Sequence, residues 1–295
     1  MTIEIDKDAC TGCGTCYDVC PNYVIQKDGD RYIAEFPEIC CDCGHCVALC
    51  NSNAIEHSEI SREDMKDLEE ISVSPDDLKN LMLSRRSIRC FTDDFPSDDQ
   101  IESLLEVAKH AGTSSNGQTE GFILMKSSEK RDKLEEMVME TLWNAGLKHL
   151  GGDKDSIKAK LMYKILLKKY GAEMIGQYYA YHGIIKHRTE NGERKGMVFR
   201  NAPLLIIIHG LENNVNSTAN SSLAIRNMEL LAQSMGLGAV NCGFLVAGFD
   251  KDPDGFRKEL GIPEGRFING ALLIGKPKYK YSKKLPREDR EVKWL

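Results

Sequence analysis

The chain has 295 residues, 41% of them hydrophobic and 28% charged, which is the composition of a soluble globular protein with a sizeable core. Its formal net charge of −6 leaves no basic surplus, which argues against a protein that holds nucleic acid through a basic surface. Residues 1–57 carry ten acidic and three basic side chains, so the negative charge is concentrated there and favours docking to a basic protein face.

The sequence shows no signal for export or membrane insertion. The N-terminus, MTIEIDKDAC, lacks the basic and apolar regions of a signal peptide. The longest apolar stretch, Leu204–Ile208, is far shorter than a membrane-spanning helix. Nine of the eleven cysteines fall within the first fifty residues at metal-ligand spacing, so we expect thiols in a reducing cytoplasm.

The first predicted domain is a cysteine-rich head over residues 1–58. It contains two C-x2-C-x2-C-x3-C runs, of which the first is followed by Pro21 and the second by Asn51. A short loop can present three thiolates to one iron–sulfur cube when they are about two residues apart. The predicted ligands are Cys10, Cys13, Cys16, Cys20, Cys40, Cys43, Cys46 and Cys50.

This head resembles bacterial-type ferredoxins with two [4Fe–4S] clusters. The resemblance implies that the fourth cysteine of each run serves the other cluster, so that Cys50 joins the first run and Cys20 the second. Structural zinc and a disulfide scaffold are the alternatives, but zinc sites usually pair two C-x2-C units across a longer gap. Cys41 is predicted to be a spare thiol that binds no metal.

A charged linker over residues 59–75 leads to the main domain, residues 76–295. Ser74 and Pro75 predict the start of a helix that continues through Met82. The main domain then alternates helices with isolated strands and shows no tandem strand–helix–strand rhythm, which predicts an α+β fold. The predicted elements are helices over 98–111, from about 129 into the 170s and over 222–235, and strands over 121–125, 204–209 and 267–274.

Three features of the main domain have the chemistry of a flavin site. Residues 85–89 (RRSIR) offer guanidinium groups and a hydroxyl to a phosphate, although a run of arginines is usually a solvated helix end. Residues 112–118 (GTSSNGQ) offer hydroxyls and amides to a ring edge, although such a loop alone is an ordinary polar turn. Glycines over 236–243 allow close backbone approach, although GLG alone is more often a helix C-cap.

Together, in this order, these features resemble the nitroreductase family of FMN oxidoreductases over about residues 76–295. The segments NAPLLIIIH and GKP add to the resemblance. Gly112 stands where the family commonly has proline, and Thr119 and Glu120 replace its usual Pro-Trp, so the resemblance does not indicate the substrate.

The resemblance implies that two chains interlock and that FMN lies at their interface. It assigns the phosphate and ribityl chain to a basic set of residues: Arg85, Arg86, Ser87, Arg89, Lys283 and Lys284. It assigns the flavin ring to a second set: Thr113, Ser114, Asn116, Gln118, Cys242 and Gly243. Of these, Thr113, Ser114 and Asn116 are expected to reach the ring from the other chain.

The remaining candidates are an aromatic stretch and a lone cysteine. His182, together with Tyr178–Tyr181, could line a substrate pocket, but packing within a helix is the alternative that we favour. Cys242 is expected to be a buried and inert thiol despite its place beside the predicted flavin contact. No P-loop, HExxH motif or Ser/His/Asp set is present, and none is required because the cofactors carry the chemistry.

The sequence therefore predicts a cytoplasmic, homodimeric iron–sulfur flavoenzyme. Electrons are expected to come from reduced ferredoxin or NAD(P)H, and the expected acceptor is a nitroaromatic, a quinone or a similar electron-poor compound. The alternative is a non-enzymatic adaptor that moves electrons between protein partners. Turnover of a small acceptor distinguishes the two.

Overall fold

A computed structural model describes residues 2–150, 157, 161, 164–165, 168, 183–193 and 195–295, with the side chains of 145–150 excluded. The chain forms two compact units. The first contains the residues up to Val73 and also Thr113–Gln118. The second contains Ser74–Gly112 and the described part of Thr119–Leu295. The predicted aromatic stretch Tyr178–Tyr181 and His182 lie outside the described residues.

The first unit is built from two similar halves. Two antiparallel pairs form its sheets, β1 (Ile3–Ile5) with β4 (Ile55–His57) and β2 (Ile25–Asp28) with β3 (Arg31–Ala34). Each half also has a four-residue helix, α1 (Thr15–Asp18) or α2 (His45–Ala48), which begins after a glycine of positive φ. Because β1 pairs with β4, the two ends of this unit are joined, and its small core draws on both halves: Ile3, Val24, Ile25, Val47 and Ile55.

The second unit is organised around a four-stranded antiparallel sheet. The strand order is β5-β6-β8-β7, with β5 Gly121–Lys126, β6 Leu204–Leu211, β7 Gly238–Asn241 and β8 Arg266–Gly275. Its helices are α3 (Pro75–Ser84), α4 (Asp98–Lys109), α5 (Glu129–Leu150), α6 (Ser217–Ser234), α7 (Gly243–Phe249) and α8 (Pro253–Leu260), and residues 183–190 are also helical. Helices and an antiparallel sheet in one unit confirm the predicted α+β class.

The central strand β6 is covered on both faces. Leu204, Ile206 and Ile208 belong to a core that includes residues of α4 and α6. Leu205 and Ile207 belong to a second core that includes residues of α5, α7 and α8. Side chains alternate between the faces of a strand, so a continuous apolar run such as LLIII fits a strand buried on both sides. Each such side chain stabilises the fold by roughly 1.5–3 kcal/mol on burial.

The helix starts follow from capping residues in the sequence. The Ser74 hydroxyl accepts from the Asp77 amide at 3.1 Å, and Pro75 occupies the first turn of α3, as predicted. Ser97 and Gln100 form a reciprocal capping box at the start of α4. The predicted helix over 222–235 is confirmed, although α6 begins earlier, at Ser217. None of the described helices has the length and apolar character needed to cross a membrane.

The two glycines of the GLG segment each have a local structural role. Gly236, with φ 75°, ends α6, where the Leu237 amide donates to the Ala232 carbonyl at 2.8 Å in a Schellman cap. Gly238 opens β7, and a Cβ atom there would lie 2.5 Å from a side-chain carbon of Ile88. Both glycines therefore serve the fold, which is the alternative that the sequence left open for GLG.

We expect Gly238→Ala to destabilise the second unit by about 1–3 kcal/mol, because the added methyl group overlaps Ile88 in a packed core. Thermal or urea unfolding measures the change. Gly112→Ala is the matched control, since a Cβ atom at Gly112 meets nothing within 4 Å. Equal stability of the two variants would show that the Ile88 contact does not require glycine.

Candidate functional site

The eight cysteines of the two runs line two separate pockets in the first unit. Cys10, Cys13, Cys16 and Cys50 line one pocket, together with Tyr32. Cys20, Cys40, Cys43 and Cys46 line the other, which Cys41 and His57 also line. This is the grouping that the ferredoxin resemblance implies, with the last cysteine of each run crossing to the other set. Four thiols of soft sulfur around each pocket suit an iron–sulfur cube.

Several thiols accept hydrogen bonds that stabilise a thiolate. The amide of Val24 donates to Cys20 Sγ and that of Ala54 to Cys50 Sγ, each at 3.2 Å. A hydrogen bond with the Thr15 hydroxyl lowers the pKa of Cys13. Burial raises the pKa of Cys46 to about 11, so this thiol becomes a ligand only when bound metal favours its thiolate.

A buried imidazole beside the second pocket was missed at the level of the sequence. His57 ends β4 with a side chain 1% exposed, and its Nε2 lies 3.6 Å from Cys40 Sγ and 3.5 Å from Asp42 Oδ1. These three ligand atoms lie within 4.8 Å of one another. The two cysteine runs are offset by 30 residues, which aligns His57 with Lys27. Aligning the two halves of the domain at this offset would have shown that His57 has no counterpart in the first half.

In the second unit, the arginine segment lies along the sheet edge formed by β7. Ser87 forms a parallel bridge with Ala239, and the Ile88 amide donates to the Ala239 carbonyl at 3.0 Å. The C-terminal lysines reach the same corner, since Arg86 Nη2 donates to the Lys283 carbonyl at 3.4 Å and Lys284 Nζ to Asn80 Oδ1 at 3.2 Å. We call the residues Arg85, Arg86, Arg89, Lys283 and Lys284 the basic corner.

Within the basic corner, Arg86 is the residue best poised for an anion. Its Nε is buried and has no hydrogen-bond partner within the described part of the chain, which is unusual for a charged donor. Arg85 is instead paired with Glu229 at 3.5 Å, and Glu229 also contacts Arg226. The other nitrogens of Arg86 donate to the carbonyls of Leu83, Arg85 and Lys283, which hold the guanidinium beside two lysines, and a cationic corner of this kind suits a phosphate monoester such as that of FMN.

The predicted ring-contact loop belongs to the first unit. Ser114–Asn116 form a short 3-10 turn, with φ near 50° at Ser115 and Asn116. Gln118 closes the loop, because its amide donates to Thr113 Oγ1 at 3.2 Å and its side chain to Asn116 Oδ1 at 3.1 Å. Asn116 Nδ2 donates to the Asp42 carbonyl at 2.8 Å, so this loop is joined to the loop that carries Cys40 and Cys43.

The two predicted residues after β7 have different environments. Cys242 is 4% exposed and lies in the core, and its Sγ contacts the Val198 carbonyl at 3.7 Å. Burial raises the pKa of Cys242 to about 11, which leaves an unreactive thiol and limits any flavin contact to its backbone. Gly243 opens α7, and a Cβ atom there would meet nothing within 4 Å. The Gly243 backbone is therefore open to a flat ligand.

Each of the two parts of the chain matches the sequence profile of a known protein family. The sequence profile of the nitroreductase family matches residues 82–276. The chain belongs to this family. A profile described as a 4Fe-4S dicluster domain matches residues 9–55. The protein is therefore an FMN-dependent oxidoreductase of the nitroreductase family with an N-terminal 4Fe–4S ferredoxin domain.

Individual relatives match one part or the other. An uncharacterized ferredoxin of Methanocaldococcus jannaschii is 40% identical over 60 residues, covering 19% of this chain and 78% of the relative. An FMN reductase [NAD(P)H] of Bacillus subtilis is 24% identical over 209 residues, covering 70% of this chain and 69% of the relative.

Solved structures similar to the chain include two nitroreductases with bound FMN. The one from Bacteroides fragilis has a TM-score of 0.48 at 19% identity, covering 73% of this chain and 94% of its own. The one from Desulfitobacterium hafniense has a TM-score of 0.49 at 21% identity, covering 73% and 98%.

We expect Cys43→Ala to lose about four irons per chain, because Cys43 lines the second pocket with three other ligand-type thiols. Cys41→Ala removes a thiol from the same loop and should keep the full iron content. Iron and sulfide assays on anaerobically purified protein make the measurement. Equal iron loss in both variants would contradict the assignment of Cys41 as a spare thiol.

We expect Arg86→Ala to weaken FMN binding at least about tenfold, since a charge-assisted hydrogen bond contributes about 1.5–3 kcal/mol. Arg86→Lys keeps the charge without the forked donors and should bind with intermediate affinity. A smaller loss is expected for Arg85→Ala, whose guanidinium is already paired with Glu229. Fluorescence titration of the flavin-free protein with FMN measures the affinity.

The control for this series is Lys276→Ala, which removes an exposed cation paired with Asp94 in the same unit. Iron content should stay constant throughout, because the clusters belong to the first unit. Unchanged FMN affinity in Arg86→Ala would show that Arg86 does not hold the phosphate.

Proposed function

We propose that this protein takes up single electrons at two [4Fe–4S] clusters and delivers them in pairs, through FMN, to a small electron-poor acceptor such as a nitroaromatic or a quinone. The observation that carries the proposal is the sorting of eight cysteines into two pockets of four. Two clusters in cis to a flavin domain form a path for electrons from a one-electron donor.

The chain supplies the position and charge that this chemistry needs. Bound FMN accepts electrons singly or in pairs and releases a pair to the acceptor. The residues Arg85, Arg86, Ser87, Arg89, Lys283 and Lys284 hold its phosphate and ribityl chain. As the family resemblance implies, Thr113, Ser114 and Asn116 reach the ring from the other chain of the dimer. Gln118 and the backbone of Cys242 and Gly243 belong to the same ring-contact set.

The electron donor is reduced ferredoxin or NAD(P)H. The net charge of −7 over residues 1–57 favours a protein donor with a basic face and steers its approach. The name of the Bacillus subtilis relative, FMN reductase [NAD(P)H], favours a nicotinamide donor.

The active form is a cytoplasmic homodimer. Helix α3 buries none of its residues, and Leu78, Met82 and Leu83 are each more than 40% exposed. The C-terminal segment after Gly275 also leaves large apolar side chains exposed, among them Trp294. Exposed apolar surface of this kind suits an interlocking partner chain. Such a partner would also supply the residues that complete each flavin site.

The second candidate function is a non-enzymatic adaptor that passes electrons between two protein partners. The acidic N-terminal domain favours it, because charge complementarity is a common means of docking redox proteins. An adaptor needs no small acceptor, whereas the enzyme must turn one over.

We expect protein purified without oxygen to contain about eight irons and one FMN per chain. Reduced ferredoxin or NADPH should bleach the flavin absorbance, and a nitroaromatic or quinone should restore it with repeated turnover. Whichever of the two donors bleaches the flavin is the electron donor of the enzyme. Reoxidation only by a second protein would favour the adaptor, and clusters without FMN would refute the flavoenzyme.

A further inference from the structure

We propose that the cluster held by Cys20, Cys40, Cys43 and Cys46 is the one that passes electrons to the flavin, and that His57 raises its reduction potential. Below, this cluster is called the exit cluster and the other the entry cluster. The inference rests on the proposed function, because it requires two clusters and FMN. It is carried by two independent contacts, one at His57 and one at Asn116.

The first contact gives the exit cluster a hydrogen-bond donor. The Glu59 amide donates to His57 Nδ1 at 3.1 Å, so this nitrogen is an acceptor and the ring proton resides on Nε2. That Nε2–H points at Cys40 Sγ at 3.6 Å, and the nitrogen also lies 3.5 Å from Asp42 Oδ1, which has no hydrogen-bond partner in the described part of the chain. A donor to a ligand sulfur stabilises the more negative, reduced cluster and raises its potential.

The two halves of the domain differ at this point. The 30-residue offset of the cysteine runs places Lys27 where the second half has His57, and Lys27 is exposed on β2. The donors at the entry cluster are different groups, including the Ser52 hydroxyl at 3.6 Å from Cys50 Sγ. The two potentials are thus set by different side chains and can be changed separately.

The second contact joins the exit cluster to the predicted flavin loop. Asp42 lies between the ligands Cys40 and Cys43, and its carbonyl accepts from Asn116 Nδ2 at 2.8 Å. Asp42 and Asn116 both hold φ near +50°, a conformation that Asp and Asn adopt more readily than other non-glycine residues. The path from cluster ligand to flavin loop therefore crosses a single hydrogen bond.

The entry cluster is the one open to a donor. Cys13 is the exposed member of its ligand set, whereas the four ligands of the exit cluster are half-buried. A reduced one-electron donor protein is oxidised by one electron at each encounter, and the exit cluster in turn loses one electron to the flavin. Two encounters, with two protons from water, balance one two-electron reduction of the acceptor.

An EPR-monitored redox titration of the holoprotein tests the role of His57. His57→Phe should lower one of two midpoint potentials, with about a tenfold loss in the equilibrium constant for reduction, which is about 59 mV for one electron. His57→Gln, whose amide can still donate, should lie closer to the unmodified protein. Ser52→Ala should move the other midpoint, which assigns the two waves.

The assignment of His57 to the exit cluster would be overturned if His57→Phe left both midpoint potentials unchanged. It would also be overturned if His57→Phe and Ser52→Ala changed the same midpoint potential. Iron is assayed in every sample, and His57→Leu replaces His57→Phe if the latter loses iron. Absence of two clusters or of FMN in the unmodified protein refutes the proposed function, whereas intact cofactors with unmoved potentials refute only this inference.

Rapid mixing with reduced ferredoxin tests the role of Asn116. Asn116→Ala should slow flavin bleaching about tenfold at saturating FMN, while reduction of the clusters stays unchanged. The midpoint potential of the flavin is measured in the same sample, so that a change in driving force is separated from loss of the electron path. Ser115→Ala, an exposed side chain of the same loop, should match the unmodified protein. Equal bleaching rates in Asn116→Ala and Ser115→Ala would show that electrons leave by another path.

Discussion

The first unit depends on the crossing of one cysteine from each run to the pocket of the other. Each pocket takes three thiols from a tight loop and a fourth, Cys50 or Cys20, from the other half of the unit. Neither half can complete a pocket alone, so metal binding and folding of this unit are coupled. Its apolar core is small, and its cysteine side chains are themselves part of that core. Iron–sulfur binding would therefore supply stability that a larger domain draws from buried hydrocarbon.

The second unit is stabilised by a large apolar core rather than by metal binding, because its sheet has helices on both faces. Because most of β6 and β8 is buried, the candidate phosphate-binding groups lie at the edge of the sheet, where β7 meets the arginine segment. The same edge receives the lysines from the C-terminal segment. The strand edge thus gathers a set of cations outside the core, where they suit a phosphate without the cost of burying charge among apolar side chains.

The loop of residues 113–118 is held by its own side chains and by the first unit. By sequence it follows α4 of the second unit, yet by contacts it belongs to the first. Its polar side chains satisfy one another and the Asp42 carbonyl, which fixes a strained backbone that isolated turns would not hold.

The sequence by itself determined the features that depend on local spacing. The spacing of the cysteines identifies the metal ligands, because a tight loop must surround the cluster. Ser74 and Ser97 mark the starts of two helices, and an apolar run marks the buried strand β6. The α+β class and the family followed from the order of these signals. Short elements such as β7 and α7 were missed because their glycines have a second, more local explanation in caps and close packing.

Only the tertiary structure decided which side chains meet across long separations. The grouping of Cys50 with the first run was implied by resemblance alone until the two pockets were seen. His57 beside Cys40, Glu229 beside Arg85 and Asn116 on Asp42 leave no local pattern in the chain. The physical reason is that hydrogen bonds and charges act over a few ångströms in space, whereas sequence patterns record only neighbours along a helix, a strand or a turn.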